Sequence, residues 1–188
     1  MIIKLEQLNK EIIMVGFRNV QLKNINTFLE QFRTETKGAA IQFFNANHVA
    51  GYQHMYFAAL NALHAFEKKI NISNNLEVEA LLYASAQRQI QKAVKMLGIK
   101  QESREVATLI MIDLDNKKVN YLGLVSEIIP GDRDDSVLDL TEKKIGKIKK
   151  LFNISDIEFE ATLKREGLEK EALTDLIIER MALLAIKS

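Results

Sequence analysis

The sequence predicts a protein of the α/β (α+β) class, in which a small, mostly antiparallel sheet of about four strands is covered by six to seven helices. Short apolar runs bounded by turn residues are typical of buried strands, and longer segments with apolar residues three and four positions apart are typical of amphipathic helices. The chain has 188 residues, of which 47% are hydrophobic and 27% charged. This length and composition predict a single globular domain, 1–188.

The first two predicted strands enclose a helix. An apolar run at residues 11–17 predicts a buried strand, and a second strand is predicted at residues 39–47. Between them, apolar residues recur at helical spacing up to Gly38, a residue type that commonly ends a helix. The next segment predicts a helix of roughly twenty residues that ends near Lys69.

Two shorter helices and a hairpin are predicted in the middle of the chain. The first helix begins at an asparagine cap, Asn74 or Asn75, and the second runs from about residue 87 to residue 97 and ends at Gly98. Two apolar runs within residues 104–130 flank the polar sequence DLDNKK, and this pattern predicts an antiparallel hairpin.

The last third of the chain is predicted to be helical after an exposed loop. Pro130, the only proline, opens that loop. Three segments with helical patterns follow it, and Ser155 with Glu158 forms the S-x-x-E capping box that starts the middle one.

The three histidines, His48, His54 and His64, all fall in the segment that predicts the longest of the early helices. None of their spacings is the i,i+3 or i,i+4 interval that two metal ligands on one helix require. Apolar residues do recur at that interval, at Met55, Ala59, Ala62, Leu63 and Phe66. We therefore interpret the segment as a packing helix with surface or half-buried histidines rather than as a metal centre.

The sequence contains no recognisable catalytic motif. It has no cysteine, no glycine-rich phosphate loop and no G-x-S-x-G elbow, which excludes thiolate metal sites and cysteine nucleophiles. We therefore expect no enzyme activity, no cofactor and no bound metal. The first residues lack the apolar core of a signal peptide, and no apolar run reaches the roughly 20 residues of a membrane span. The expected location is the cytoplasm, with no membrane partner.

Three features favour binding to other macromolecules. Arg88, Lys92 and Lys95 are spaced to share one face of a predicted helix, and the lysine-rich segment 141–152 carries five lysines beside an apolar stripe. Because the net charge is only +1, nucleic-acid binding would need such a local patch, although both could simply be soluble helix faces. The apolar residues near the chain end must pack either on the protein's own core or on a partner.

Two consecutive segments, from His48 to Phe66 and from Glu79 to Ile99, have a characteristic pattern of residues. With them, residues 44–99 resemble the central block of the family of KEOPS-complex subunits that bind the small atypical kinase/ATPase. The segment from His48 to Phe66 matches the family's "H…A…NAL.AF" helix, and the following segment matches "E.LLY.SA.RQI..A....GI". The residues that match the second pattern are Glu79, Leu81, Leu82, Tyr83, Ser85, Ala86, Arg88, Gln89, Ile90, Ala93, Gly98 and Ile99. The ending LIIERMALLAI is also similar to the last helix of the family.

The resemblance implies a compact α/β protein without catalytic activity of its own. It further implies binding to the small atypical kinase/ATPase subunit and recruitment of tRNA through its 3′ CCA end. The complex then installs a threonylcarbamoyl group on an anticodon-loop adenosine. A purely protein–protein regulator of the kinase-like ATPase is the alternative, and a small-molecule enzyme built on the histidine segment is a third hypothesis.

These roles suggest a division of residues. Single-stranded RNA needs cations for its phosphates and flat or hydrogen-bonding side chains for its bases. The candidate cations for the phosphates are Arg88, Lys92 and Lys95. The candidate side chains for the bases are Asn47, His48 and Tyr52. An ion pair from Arg88 to Glu79 or Glu77 is the structural alternative.

The candidate kinase-facing surface consists of Leu183, Leu184 and Ile186, since the cores of protein interfaces contain few charged residues. The alternative is that these three residues close the protein's own core.

Overall fold

The computed structural model describes residues 1–115 and 119–186, and within them it contains five strands and eight α-helices. The strands are β1 (Ile2–Leu5), β2 (Lys10–Arg18), β3 (Ala40–Asn45), β4 (Val106–Asp113) and β5 (Asp132–Arg133). The helices are α1 (Ile25–Glu35), α2 (Gly51–Glu67), α3 (Leu76–Ser85), α4 (Ile90–Leu97), α5 (Tyr121–Ile128), α6 (Glu142–Leu151), α7 (Asp156–Thr162) and α8 (Glu169–Ile186). The predicted α+β class is confirmed.

The sheet has the strand order β1-β2-β4-β3, and β5 pairs with the end of β2. All of these pairs are antiparallel. Strand β2 pairs with β4 along one edge, while its other edge carries β1 at its start and β5 at its end. Strand β2 is therefore the centre of the sheet.

Helices cover the two faces of the sheet. Side chains of β2 alternate between two apolar clusters: Ile12 and Met14 contribute to one, whereas Ile13 and Val15 contribute to the other. The first cluster includes residues of α2, α3, α4, α6, α7 and α8, and the second includes residues of α1 and α5. Because both faces are buried, β2 has the continuous apolar run that predicted a buried strand.

The predicted hairpin after β4 is wrong. Strand β4 is present, but the second apolar run forms α5. Tyr121 and Val125, one helical turn apart in α5, are buried, and so is Ile129, the residue that follows the helix. Asn120 caps this helix by accepting a hydrogen bond from the Gly123 amide. Since β2 and β3 already pair with the two edges of β4, no edge remains for a hairpin partner. Part of the predicted turn, residues 116–118, lies outside the described residues.

Several boundaries also differ from those predicted. Strand β3 ends at Asn45, so that Asn47 and His48 lie in a 3-10 turn that precedes α2. Helix α4 begins at Ile90, so Arg88 lies in the bend before the helix and not on the helical face that the spacing predicted. The N-terminal strand β1 was not predicted. The capping box at Ser155 and Glu158 is confirmed.

Candidate binding surfaces

His54 is a structural residue inside the core, with 1% of its surface exposed. The Ala50 amide donates to its Nδ1 at 3.0 Å, and the protonated Nε2 donates to the Ala84 carbonyl oxygen at 2.7 Å. Burial lowers the pKa of the imidazole to about 4, so it is neutral at physiological pH. The prediction of surface or half-buried histidines is wrong for this residue.

The other two histidines have different environments. His48 is half-buried, and its Nδ1 donates to the Met96 carbonyl oxygen at 2.7 Å. Burial, and then the positive charges of Lys147 and Lys100, lower the pKa of His48. His64 is exposed, and its Nδ1 lies 3.3 Å from a carboxylate oxygen of Glu67. Residues 1–115 and 119–186 contain no group of three or more His, Cys, Asp or Glu side chains arranged to hold a metal ion.

Asn47 and His48 line a cleft of about 370 Å³, which we call the basic cleft. Its cationic lining consists of Lys100 and Arg104, from the segment between α4 and β4, and Lys147 from α6. Glu102 contributes one carboxylate. The fold thus brings residues from three distant parts of the sequence to one concave surface.

The remaining candidate RNA-binding residues lie apart from the described lining of this cleft. Tyr52 is half-buried, and its hydroxyl donates to the Asp135 carbonyl oxygen at 3.3 Å. Burial and the nearby Asp135 and Asp139 raise the pKa of this hydroxyl. Arg88, Lys92 and Lys95 are exposed. The structure therefore groups Asn47 with His48 but places the other four residues elsewhere.

Glu79, which was considered as an ion-pair partner of Arg88, is buried. Its side chain forms hydrogen bonds with the backbone of the loop between α2 and α3. Its carboxylate accepts hydrogen bonds from the Ile72 amide and, at 2.7 Å, from the Ser73 amide. These bonds replace the water that the backbone groups of the loop lose on burial.

The lysines of segment 141–152 have different roles. Lys144 is buried, and its Nζ donates to the carbonyl oxygens of Val137 and Asp139 at 2.6 and 3.0 Å; burial lowers its pKa. Lys149 pairs with Asp156 at 2.7 Å and lies 4.1 Å from the centre of the Phe159 ring. Lys147, by contrast, lines the basic cleft. The sequence showed the lysines but did not distinguish these roles, and it gave no signal for Lys100 or Arg104.

The apolar residues at the end of α8 divide between the core and the surface. Leu184 is 6% exposed and belongs to the core, whereas Leu183 is 46% and Ile186 is 77% exposed. Leu183 also borders a groove of about 310 Å³ together with Arg180 and Phe152. The end of α8 thus both closes the core and leaves two apolar side chains exposed.

The fold defines a protein of the α+β class, and its described residues include an exposed apolar helix end and a cation-lined cleft. A family model described as "Kinase binding protein CGI-121" matches residues 17–185. The chain is also 34% identical over 139 residues to the "Regulatory protein Cgi121" of Methanocaldococcus jannaschii, an alignment that covers 74% of this chain and 86% of that protein. The chain belongs to the CGI-121 kinase binding protein family, which confirms the family resemblance.

Within the part of the chain that the structure describes, no helix combines sufficient length with sufficient apolar character to cross a bilayer.

Proposed function

We propose that this protein is a non-catalytic regulatory subunit of the KEOPS complex and acts in the cytoplasm. It binds the small atypical kinase/ATPase subunit and helps to recruit tRNA through its 3′ CCA end, for threonylcarbamoyl modification of an anticodon-loop adenosine. Membership of a kinase binding family supports the first role. The second is supported by the exposed cations Arg88, Lys92 and Lys95 and by the position of Asn47 and His48 in a concave surface.

The observation that carries the kinase-binding role is the exposure of Leu183 and Ile186 on one end of α8. Exposed apolar side chains beside a groove are typical of protein interfaces, whose buried centres contain few charges. Leu184 anchors this end of the helix in the core, so the two exposed residues are held on an ordered element. Binding would bury them with little loss of conformational entropy.

Calorimetric titration with the kinase subunit tests this role. We expect the double variant Leu183→Asp/Ile186→Asp to bind at least tenfold more weakly, since it places two charges in an apolar interface. Ile157→Asp is the matched control, because Ile157 is an 82% exposed apolar residue on α7. Equal affinities of the double variant and the wild type would place the kinase interface elsewhere.

The alternative is a purely protein–protein regulator without direct tRNA binding. Binding of labelled tRNA, with and without its 3′ CCA, distinguishes the two functions. Affinity that depends on the CCA end and falls with salt supports recruitment, whereas no binding at low salt supports the alternative.

A further inference from the structure

The basic cleft contains cations that the described residues do not neutralise. Lys100 and Lys147 form no ion pair with a carboxylate of residues 1–115 or 119–186. Arg104 donates through Nη1 to the Val20 carbonyl oxygen at 3.0 Å, which leaves its charge without a counter-ion in these ranges. Lys144 and Lys149, on the same helix as Lys147, have the intramolecular partners described above. Among the described residues, Lys147 therefore has no ion-pair partner that would tie its charge to the rest of the protein.

The electrostatics of the cleft favour an anion. Three cations face one carboxylate, that of Glu102, across a concave surface. Like charges in such a surface repel one another and concentrate the positive potential, which a bound anion would relieve. Burial is the main cause that lowers the pKa of His48, and the positive charges of Lys147 and Lys100 lower it further. The same field would attract a phosphate.

The shape and the neutral groups of the cleft suit a phosphate that is attached to a larger molecule. Its volume of about 370 Å³ lies in the range of small-ligand sites, roughly 300–1,000 Å³. The guanidinium of Arg104 provides paired donors for phosphate oxygens, and the two lysines provide point charges.

Beside these cations lie two uncharged hydrogen-bonding groups. The bond from Nδ1 of His48 to the Met96 carbonyl oxygen fixes the tautomer, so Nε2 of the neutral ring is an acceptor. The side chain of Asn47 offers both donors and an acceptor. Such groups match the hydroxyl and base groups of a nucleoside, and a nucleotide combines them with a phosphate.

We infer, on the basis of the proposed tRNA-binding role, that the basic cleft is a nucleotide subsite for single-stranded RNA. Lys100, Arg104 and Lys147 bind a backbone phosphate, and Asn47 and His48 contact the attached nucleoside. Of the lysines of helix α6, only Lys147 takes part in this proposed RNA binding. Free nucleotides share this chemistry, so the experiment includes them as a separate arm.

The test is the salt dependence of RNA binding, measured by fluorescence anisotropy with labelled tRNA and with a single-stranded oligoribonucleotide that ends in CCA. Removal of one phosphate contact lowers the slope of log affinity against log salt by about 0.7 for single strands. We expect this decrease for Lys147→Gln and for Lys100→Gln, with an affinity loss of about tenfold at low salt. Lys150→Gln, the same change at an exposed position of α6, is the matched control.

Glu102→Gln tests the same site in the opposite direction. Loss of the only described carboxylate lining the cleft should increase the affinity severalfold and should steepen the salt dependence. Circular dichroism of each variant establishes that the fold is retained. The assignment of the basic cleft as an RNA subsite would be overturned by two results together. These are an RNA affinity of Glu102→Gln equal to that of the wild type, and equal salt-dependence slopes for Lys147→Gln and Lys150→Gln.

The failure of this subsite is distinguishable from failure of the proposed function. If the wild type binds tRNA and Lys147→Gln binds equally well, the cleft is not the subsite, although tRNA recruitment stands. If the wild type binds no RNA at low salt, both proposals fail. If AMP or CMP displaces the oligoribonucleotide completely and binds as tightly, the cleft is a free-nucleotide site, and the RNA assignment is wrong.

Discussion

At the scale of single residues, His54 joins three elements of the core. One ring nitrogen accepts from the amide before α2, and the other donates to a carbonyl oxygen near the end of α3. The ring also packs edge-on against Phe152 at the end of α6, with 5.7 Å between the ring centres. Because both nitrogens are engaged in the neutral form, a second proton would break the bond at Nδ1 and place a charge in the core.

The stability of the protein should therefore decrease at acidic pH through His54. The pKa is about 4 in the folded protein and near 6.5 in the unfolded chain, so only the unfolded chain binds the proton between these values. The contribution of neutral His54 to the free energy of unfolding is complete above pH 6.5 and is lost as the pH falls toward 4. We expect the wild type to lose about 2 kcal/mol of unfolding free energy relative to His54→Gln when the pH is lowered from 7 to 4.5.

Urea unfolding of both proteins at the two pH values provides the measurement. His64→Gln removes a histidine from an exposed position of the same helix and serves as the control. A difference between the wild type and His54→Gln that does not change with pH would contradict this account.

At the scale of elements, the turn at residues 134–138 packs directly on the end of β2. The Asp134 amide donates to the Gly16 carbonyl oxygen at 2.8 Å, and the Gly16 amide donates to Oδ1 of Asp135 at 3.0 Å. A Cβ atom on Gly16 would lie 2.5 Å from both the Asp134 carbonyl oxygen and Cγ2 of Val137. The close approach of these two backbones thus requires glycine at this position.

We expect Gly16→Ala to destabilise the protein by about 1–3 kcal/mol, because the turn would have to move away from β2. Gly146→Ala is the matched control. Gly146 lies in α6 with no atom within 4 Å of an added Cβ, so alanine should increase stability by up to about 1 kcal/mol through its helix propensity. Thermal unfolding of the two variants measures both effects. Equal shifts of the melting temperature in the same direction would contradict the explanation that the turn lies too close to Gly16 for a Cβ atom.

The elements that the sequence predicted well are those with a local signal. Periodic apolar residues indicated α2 and α8, and the capping box at Ser155 indicated the start of α7. The segment that forms α5 is an apolar run of a length that suits either a strand or a helix, and the choice depends on which edges of β4 are already occupied. The basic cleft depends in the same way on tertiary contacts, since Lys100 and Lys147 lie far apart in the sequence.

At the scale of the whole molecule, the two proposed binding surfaces have different chemistry. The apolar end of α8 suits a protein partner, and the basic cleft suits an anion. The groove beside Leu183 and the basic cleft share no lining residue among those described. A change in one surface should therefore leave the other intact.

We expect the two activities to be separable. Leu183→Asp/Ile186→Asp should lose affinity for the kinase subunit and keep the tRNA affinity of the wild type to within about threefold, because distant sites contribute almost additively. Lys147→Gln should show the opposite pattern. Measurement of both affinities for both variants provides the check, and parallel losses in one variant would indicate that the two surfaces are coupled.

The position of β2 at the centre of the sheet has a consequence for how the protein folds. Its hairpin with β1 closes within a few residues, but its pairing with β4 joins Gly16 to Ala107, about 90 residues later. Loop closure over such a distance slows folding, so the β1–β2 hairpin should form well before the sheet is complete. During translation at about 5–20 residues per second, several seconds pass between the synthesis of β2 and that of β4. Throughout this time, the edge of β2 that pairs with β4 remains unpaired. A nascent chain of this protein is therefore most exposed to aggregation before β4 leaves the ribosome.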